Sequence, residues 1–243
     1  KGEDATLSVY LTLTSIAAGA TSGANSAIYL DGGTSYFNAT GEAGTNKTKI
    51  GSTGDADLYG NTYYVRKSKP TFARQTVSGA PSSSNALYRF TVVADAAGNI
   101  EIKQLGFTVV TSGCTVNALY LYDPNTSTQL TTSTVNPTTE GSSVRLLVGA
   151  ETGATADNVL SIGTTAKTYE VRGTVSGYSS TAGDSITIQF KQDTEATTNG
   201  TSATQNSAYY NVWSDRSTSA HTTATTDWTN GYLLKNMTES QSF

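Results

Sequence analysis

"LYRFTVVADAAGNIEIKQLGFTVV", residues 87–110, decides the fold class. Tyr88, Phe90 and Val92 recur every second residue, with Arg89, Thr91 and Val93 between them. That is the two-residue period of a strand with one buried and one wet face, which a helix of 3.6 residues per turn cannot use. The second half begins with Ile100 and Ile102 inward, then changes phase to Leu105, Phe107 and Val109. A parity switch inside one run predicts a β-bulge or a strand that crosses between sheets.

Further strands follow at short, regular intervals: "VNALYLYDPNTS" (116–127), ending in an Asp123-Pro124-Asn125 turn, "SSVRLLVG" (142–149), "KTYEVRGTVSG" (167–177) and "DSITIQFKQD" (184–193). Tyr169, Val171, Gly173 and Val175 share one face, as do Ile186, Ile188 and Phe190. Six or seven antiparallel strands at this spacing predict an all-β chain with an immunoglobulin-like β-sandwich at its centre. A jelly roll is the alternative.

Composition agrees. Charged residues are 14% of the 243, and Ser and Thr together are about 29%. Thr is β-branched and polar, which suits the wet face of a strand, and it carries no charge to repel a neighbouring copy. The single cysteine, Cys114, excludes an internal disulfide and a cysteine-based zinc site and reads as a buried, inert thiol. A formal charge of −4 with few Lys and Arg argues against nucleic acid as a partner. No apolar run approaches the ~20 residues of a membrane span, so no membrane insertion is expected. No signal peptide is visible, so an exported protein would be represented here by its mature form or a fragment. Five sequons, at Asn38, Asn46, Asn125, Asn199 and Asn236, are candidate N-glycosylation sites and lend weak support to export.

The chain opens with "KGEDATLSVYLTLTSI", in which Ala5, Leu7, Val9, Leu11 and Leu13 alternate with polar residues. Its first ten or so residues resemble "GDSITIQFK" (183–191), the last core strand of the sandwich. Further matches join "NSAIY" (25–29) to "NSAYY" (206–210) and "GNTYYVRK" (60–67) to "NGYLLK" (230–235). A rival alignment pairs the opening with "AGNIEIKQLGFTV" and "AIYLDGG" with "ALYLYDP". Under either, the first module lacks most of its strands. The organisation expected is an incomplete β module over 1–75 with a candidate donor strand at 1–16, a linker at 76–85, a sandwich over 86–212 and a tail, 213–243, packed on it.

An incomplete sandwich leaves an apolar face and unpaired backbone in water. The module would be an appendage docked on the sandwich, the cut end of a longer chain, or a strand donated to another copy. Donation gives a head-to-tail contact that repeats into a filament, and it is the reading favoured here. Between the two parts, Arg66, Lys67, Lys69 and Arg74 form the single basic cluster, read as a solvated hinge, with a surface for anionic glycans as the alternative.

The tail holds both Trp residues, the lone His and the lone Met. Its "VWSDRSTSAHTTATTDWTNGYLL", with "LYRFTVVADAAGNIEIKQLGFTV", "KTYEVRGTVSGYSSTAGDSITIQF" and "YYVRKSKPTF", resembles the large secreted surface proteins, built of immunoglobulin-like repeats, of ultrasmall candidate-phyla (Patescibacteria) bacteria. The resemblance covers roughly residues 60–240. It implies an extracellular, surface-associated, non-enzymatic role and supplies no catalytic residues. Members usually carry complete upstream domains, whereas this chain is expected to begin in the middle of one.

Trp213 and Trp228 with Asp215 and Asp227 offer a candidate glycan contact, in which rings stack on sugar and carboxylates bond its hydroxyls. The competing reading has both indoles capping one end of the sandwich, and it is favoured. His221 reads as a solvated loop residue. Catalysis by a Ser–His or Cys–His pair would have to use it, and no nucleophile elbow surrounds it, so no enzyme and no catalytic residue are expected. No cofactor is expected either. Calcium is the one credible ion, at the acidic turns Asp55/Asp57, Asp123/Asn125 or Asp193/Glu195. An isopeptide bond at Lys103 or Lys191 is not predicted. The sequence thus predicts a structural subunit of an extracellular filament or surface layer that polymerises with copies of itself, with a surface-glycan-binding adhesin as the alternative.

Overall fold

A computed structural model describes residues 8–30, 38–40, 47–49, 58–83, 85–131, 134–137, 143–148, 159–191, 198–201, 211–230 and 239–243. The chain divides into two compact units, Lys1–Val65 and Arg66–Phe243. The first holds β1 (Asn25–Leu30), β2 (Asn38–Thr40), β3 (Lys47–Lys49) and β4 (Leu58–Tyr64), joined as two separate antiparallel pairs, β1 with β4 and β2 with β3.

The second unit is a two-sheet antiparallel sandwich, as the alternation predicts. One sheet is built from β5 (Pro70–Gln75), β6 (Tyr88–Ala94), β8 (Thr115–Asp123), β9 (Thr128–Gln129) and β12 (Lys167–Ser176), in the spatial order β5-β6-β12-β8-β9. The other is organised around β7 (Ile100–Ser112). Along one edge of β7 lie β10 (Ser143–Leu147) and β11 (Leu160–Ile162), end to end. Along the other lie β13 (Ser185–Phe190) and β15 (Val212–Ser214). Outside these are β14 (Thr198–Thr201) and β16 (Trp228–Asn230) beyond β15, and β17 (Ser240–Ser242) beyond β13.

The parity switch in β7 has a structural counterpart. Gln104 pairs with Val212 and Ile102 with Trp213, so one step on β15 spans two on β7, and Lys103 is the extra residue of a bulge. Before it Ile100 and Ile102 are buried; after it Leu105, Phe107 and Val109 are. Lys103 itself is buried, and its Nζ donates to the Val148 carbonyl (3.0 Å) where the outer edge passes from β10 to β11. Burial lowers the pKa of this ammonium from its ordinary value.

The core is aromatic. Phe190 of the second sheet lies 4.5 Å from Phe107, 4.9 Å from Phe90, 5.1 Å from Phe72 and 5.5 Å from Tyr88, centroid to centroid. The Phe107 pair is stacked and the other three meet edge to face, and both arrangements add to the gain from burying the rings. On the outer face of the first sheet, buried Glu170 takes Arg89 on one carboxylate oxygen and Arg172 on the other, each at 2.7 Å, and Arg172 lies over the Tyr122 ring. Cys114 is buried, as expected, with its thiol against the Ser185 carbonyl.

Three expected boundaries are corrected. The sandwich begins before residue 76: β5 pairs with β6 from Pro70↔Ala94 to Gln75↔Arg89, because Phe72 buries its ring against Phe90 and Phe190. Residues 76–85 are therefore a connection inside the sandwich rather than a linker between domains. The 213–243 segment is woven into the second sheet through β15, β16 and β17 rather than laid on it as a tail. Among the described residues, residues 8–15 pair with no strand. Ala5 and Leu7 lie outside the described residues, as do "NSAYY" (206–210) and residues 231–235 of "NGYLLK".

Two outcomes follow. Phe190→Ala should cost about 3–5 kcal/mol in denaturant titration, since four rings lose their common contact. Burial, the largest influence, pushes the Tyr88 and Tyr169 phenols up to about 12, with Arg74 lowering and Glu239 raising Tyr88, and Asp123 raising Tyr169. The unfolded chain ionises near the ordinary value of about 10, so stability should fall as pH rises from about 10 towards 12. Tyrosinate absorbance should show these two phenols ionising only with unfolding, and Tyr169→Phe should flatten the alkaline fall.

Candidate functional site

Two places in the molecule carry features that a folded core does not explain. The first is the N-terminal unit. In the candidate donor strand, Val9 is 61% exposed, Tyr10 91%, Leu11 46% and Leu13 38%. The segment ends where Ser15 caps a single 3₁₀ turn, Ile16–Ala18: its Oγ accepts from the Ala18 amide at 3.3 Å, and Gly19 leaves the turn at φ +97°. The β1–β4 ribbon that follows stacks Tyr29 on Tyr59 at 5.5 Å, yet both rings, and Tyr63, remain more than half exposed. Among the described residues of this unit only Ser22 and Gly23 are buried. A two-stranded ribbon with no buried face is marginal by itself.

The second place is the loop joining β15 to β16. Trp213 pairs with Ile102 and Ser214 with Glu101, which hangs residues 215–227 over the start of β7. Asp215 accepts from the Lys67 amide (2.8 Å) and the Ser217 amide (3.2 Å). Asp227 accepts from the Thr218 amide (3.0 Å) and the Thr225 hydroxyl (2.6 Å). His221 lies between acids, with Nδ1 2.9 Å from Asp227 and Nε2 3.0 Å from Glu101, its ring stacked on Trp228. Each ring nitrogen thus has a carboxylate oxygen within hydrogen-bonding distance. Arg216 closes the cluster through Nε to Glu101 at 3.3 Å, and Arg66 lies 5.5 Å over the Trp213 ring.

This geometry corrects two expectations. His221 is not solvated, because its side chain is only 4% exposed between Glu101 and Asp227. Trp213, Asp215, Asp227 and Trp228 cannot form a sugar-stacking platform, because all four are buried. Trp213 belongs to the sandwich core, and the Trp228 indole donates to the Thr222 carbonyl at 2.9 Å. The basic run is not a free hinge: Lys67 Nζ donates to the Arg216 carbonyl, and Arg74 reaches Gln241 and Glu239. Part of the His221 cluster has a local signature, since Asp215, His221 and Asp227 stand six residues apart. Glu101, 120 residues from His221, has none.

The other candidates are spread through the chain. Asn125 is exposed in the turn after β8, and its amide is bonded to the Asp123 carboxylate (2.8 Å), which thereby closes a turn. Asn38 and Asn199 lie on β2 and β14, while Asn46, Asn236, Asp55, Asp57, Asp193 and Glu195 lie outside the described residues. Among the described residues, no three His, Cys, Asp or Glu are placed to hold a metal ion. No described helix is long and apolar enough to cross a membrane. No family model, curated protein or solved structure matches the chain.

His221→Ala should cost ~3 kcal/mol at neutral pH, because it strips two carboxylates of their common partner. Burial alone would raise the Asp227 carboxyl. The Thr225 hydroxyl, the Thr218 amide and His221 outweigh it and hold the group below its ordinary value. Its stabilising contribution is therefore full above the unfolded value of about 3.9 and is lost as pH falls through the lower folded one. Thermal unfolding followed from about pH 6 down to pH 2 should show wild type losing more stability than Asp227→Asn.

Proposed function

We propose that the chain is a structural subunit of an extracellular assembly, joined to neighbouring copies by β-strand exchange through residues 1–16. The observation that carries this reading is the contrast between the two units. The sandwich buries a full aromatic core, while residues 8–15 leave three aliphatic side chains and a tyrosine in water, in a unit whose described residues bury nothing large. An alternating apolar segment without a partner is the form in which donor strands are supplied. Adding it to an open sheet edge satisfies its backbone and its apolar face together.

Several features support an extracellular setting: the low charge, the Ser- and Thr-rich surface, the exposed sequon at Asn125 and the resemblance to secreted repeat proteins. The contact is heterologous, since donor and acceptor are different surfaces, so repetition gives a filament or an open lattice.

Removing residues 1–16, or Leu11→Asp with Leu13→Asp, should leave the sandwich folded and the protein monomeric by light scattering. Negative-stain images should then lose any fibres or lattice that the wild type forms. Assemblies that persist in both variants would overturn strand exchange.

A further inference from the structure

The His221 loop does more than close the end of the sandwich. On its outer side lies a depression of about 460 Å³ lined by Lys67, Asn99, Arg216, Thr218, Ala220 and His221. We propose that this depression binds a sugar bearing a carboxylate, of the uronic-acid type, at a site independent of the N-terminal strand.

The lining decides the ligand class. Of the six residues only Ala220 is apolar, which disfavours a hydrophobic ligand, while the volume falls in the ~300–1,000 Å³ range of small-molecule sites. Arg216 meets Glu101 through Nε at 3.3 Å, and its guanidinium, the fork-shaped group that grips carboxylates, is 36% exposed. Lys67 adds an ammonium beside it, held by one contact to the Arg216 carbonyl at 3.4 Å. Asn99 and Thr218 are exposed and place a carboxamide and a hydroxyl where sugar hydroxyls would meet them.

The balance of charge narrows the class further. Lys67 and Arg216 are the cations of the lining, with Glu101, Asp215 and Asp227 beside them, the last two fully buried. With three carboxylates set against these two cations no net positive field extends outward, so an anionic group is held by direct contact with the Arg216 and Lys67 donors, which suits one carboxylate on a neutral polyhydroxylated ring rather than a polyanion. The loop is also braced by hydrogen bonds of its own. Arg216 and Ala220 both sit at positive φ (49° and 54°), an unusual conformation for residues with a Cβ, fixed here by the bonds of Asp215 and Asp227. A pre-shaped polar cradle of this kind binds without a large ordering cost.

The test is an NMR titration of the full chain with galacturonic acid disaccharide, the uncharged galactose disaccharide, and acetate and inorganic phosphate as bare anions. Saturable shifts around the 215–221 loop are expected with the uronide, at an affinity about tenfold above the uncharged sugar and the bare anions. Lys67→Gln with Arg216→Asn, chosen because Asn tolerates positive φ, should lower uronide affinity about tenfold in protein whose NMR spectrum remains that of the folded chain. Should that pair unfold, Asn99→Ala at an exposed position should still weaken the uronide. No saturable shift with the uronide, equal binding of the uncharged sugar, or undiminished binding by the folded variants would each overturn the site. Tighter binding of phosphate than of the uronide would overturn the sugar assignment.

Discussion

Everything in the sandwich depends on how one strand, β7, shares out its backbone. Thirteen residues long, it is flanked by β11 and β10 along one edge and by β15 and β13 along the other. A strand with a single phase would hold one face inward throughout and would suit one partner per edge. The bulge at Lys103 divides it into two registers and turns a different set of side chains inward in each half. The seam is closed by exact hydrogen-bond accounting: Val148 donates to the Lys103 carbonyl, Lys191 to that of Gly106, and the Asn211 carboxamide takes the Gly106 amide. Buried backbone must be paired, so these substitutes for a continuous ladder are what make the division tolerable.

The same seam positions the His221 cluster. Because the first half of β7 is paired with β15, Glu101 comes beside the loop that β15 and β16 project, and the imidazole joins acids from two distant parts of the chain. Below that cluster the indoles are consumed as core, and above it the loop is left polar. Burial of large rings and presentation of a hydrophilic surface are divided between two sides of one thirteen-residue loop.

Much of the sandwich was legible in residue order. The alternation of Tyr88, Phe90 and Val92, the phase change after Ile102, and the inward sets in β12 and β13 all depend on a local two-residue period, and all are found. Linker composition misled at 76–85, where small polar residues join two paired strands of one sheet. The reason lies outside the segment, since Gln241 bonds to both the amide and the carbonyl of Val77 there. His221 misled in the same way, because its burial is set by Glu101, which no nearby residue announces. In the opening segment, the alternation was clear and the partner was not. A strand pattern specifies a face to be covered without naming what covers it.

The placement of β17 has a consequence for how the molecule is made. It pairs Gln241 with Ile188, and the Gln241 side chain reaches back to Val77 and Arg74 near the start of the sandwich. The contacts that join the two ends of this unit can form only once residues 70–77 and 240–242 are both present. Non-local pairing of this kind folds slowly and leaves apolar surface open to aggregation meanwhile. Docking of β17 is therefore the step that ties the two ends of this unit together.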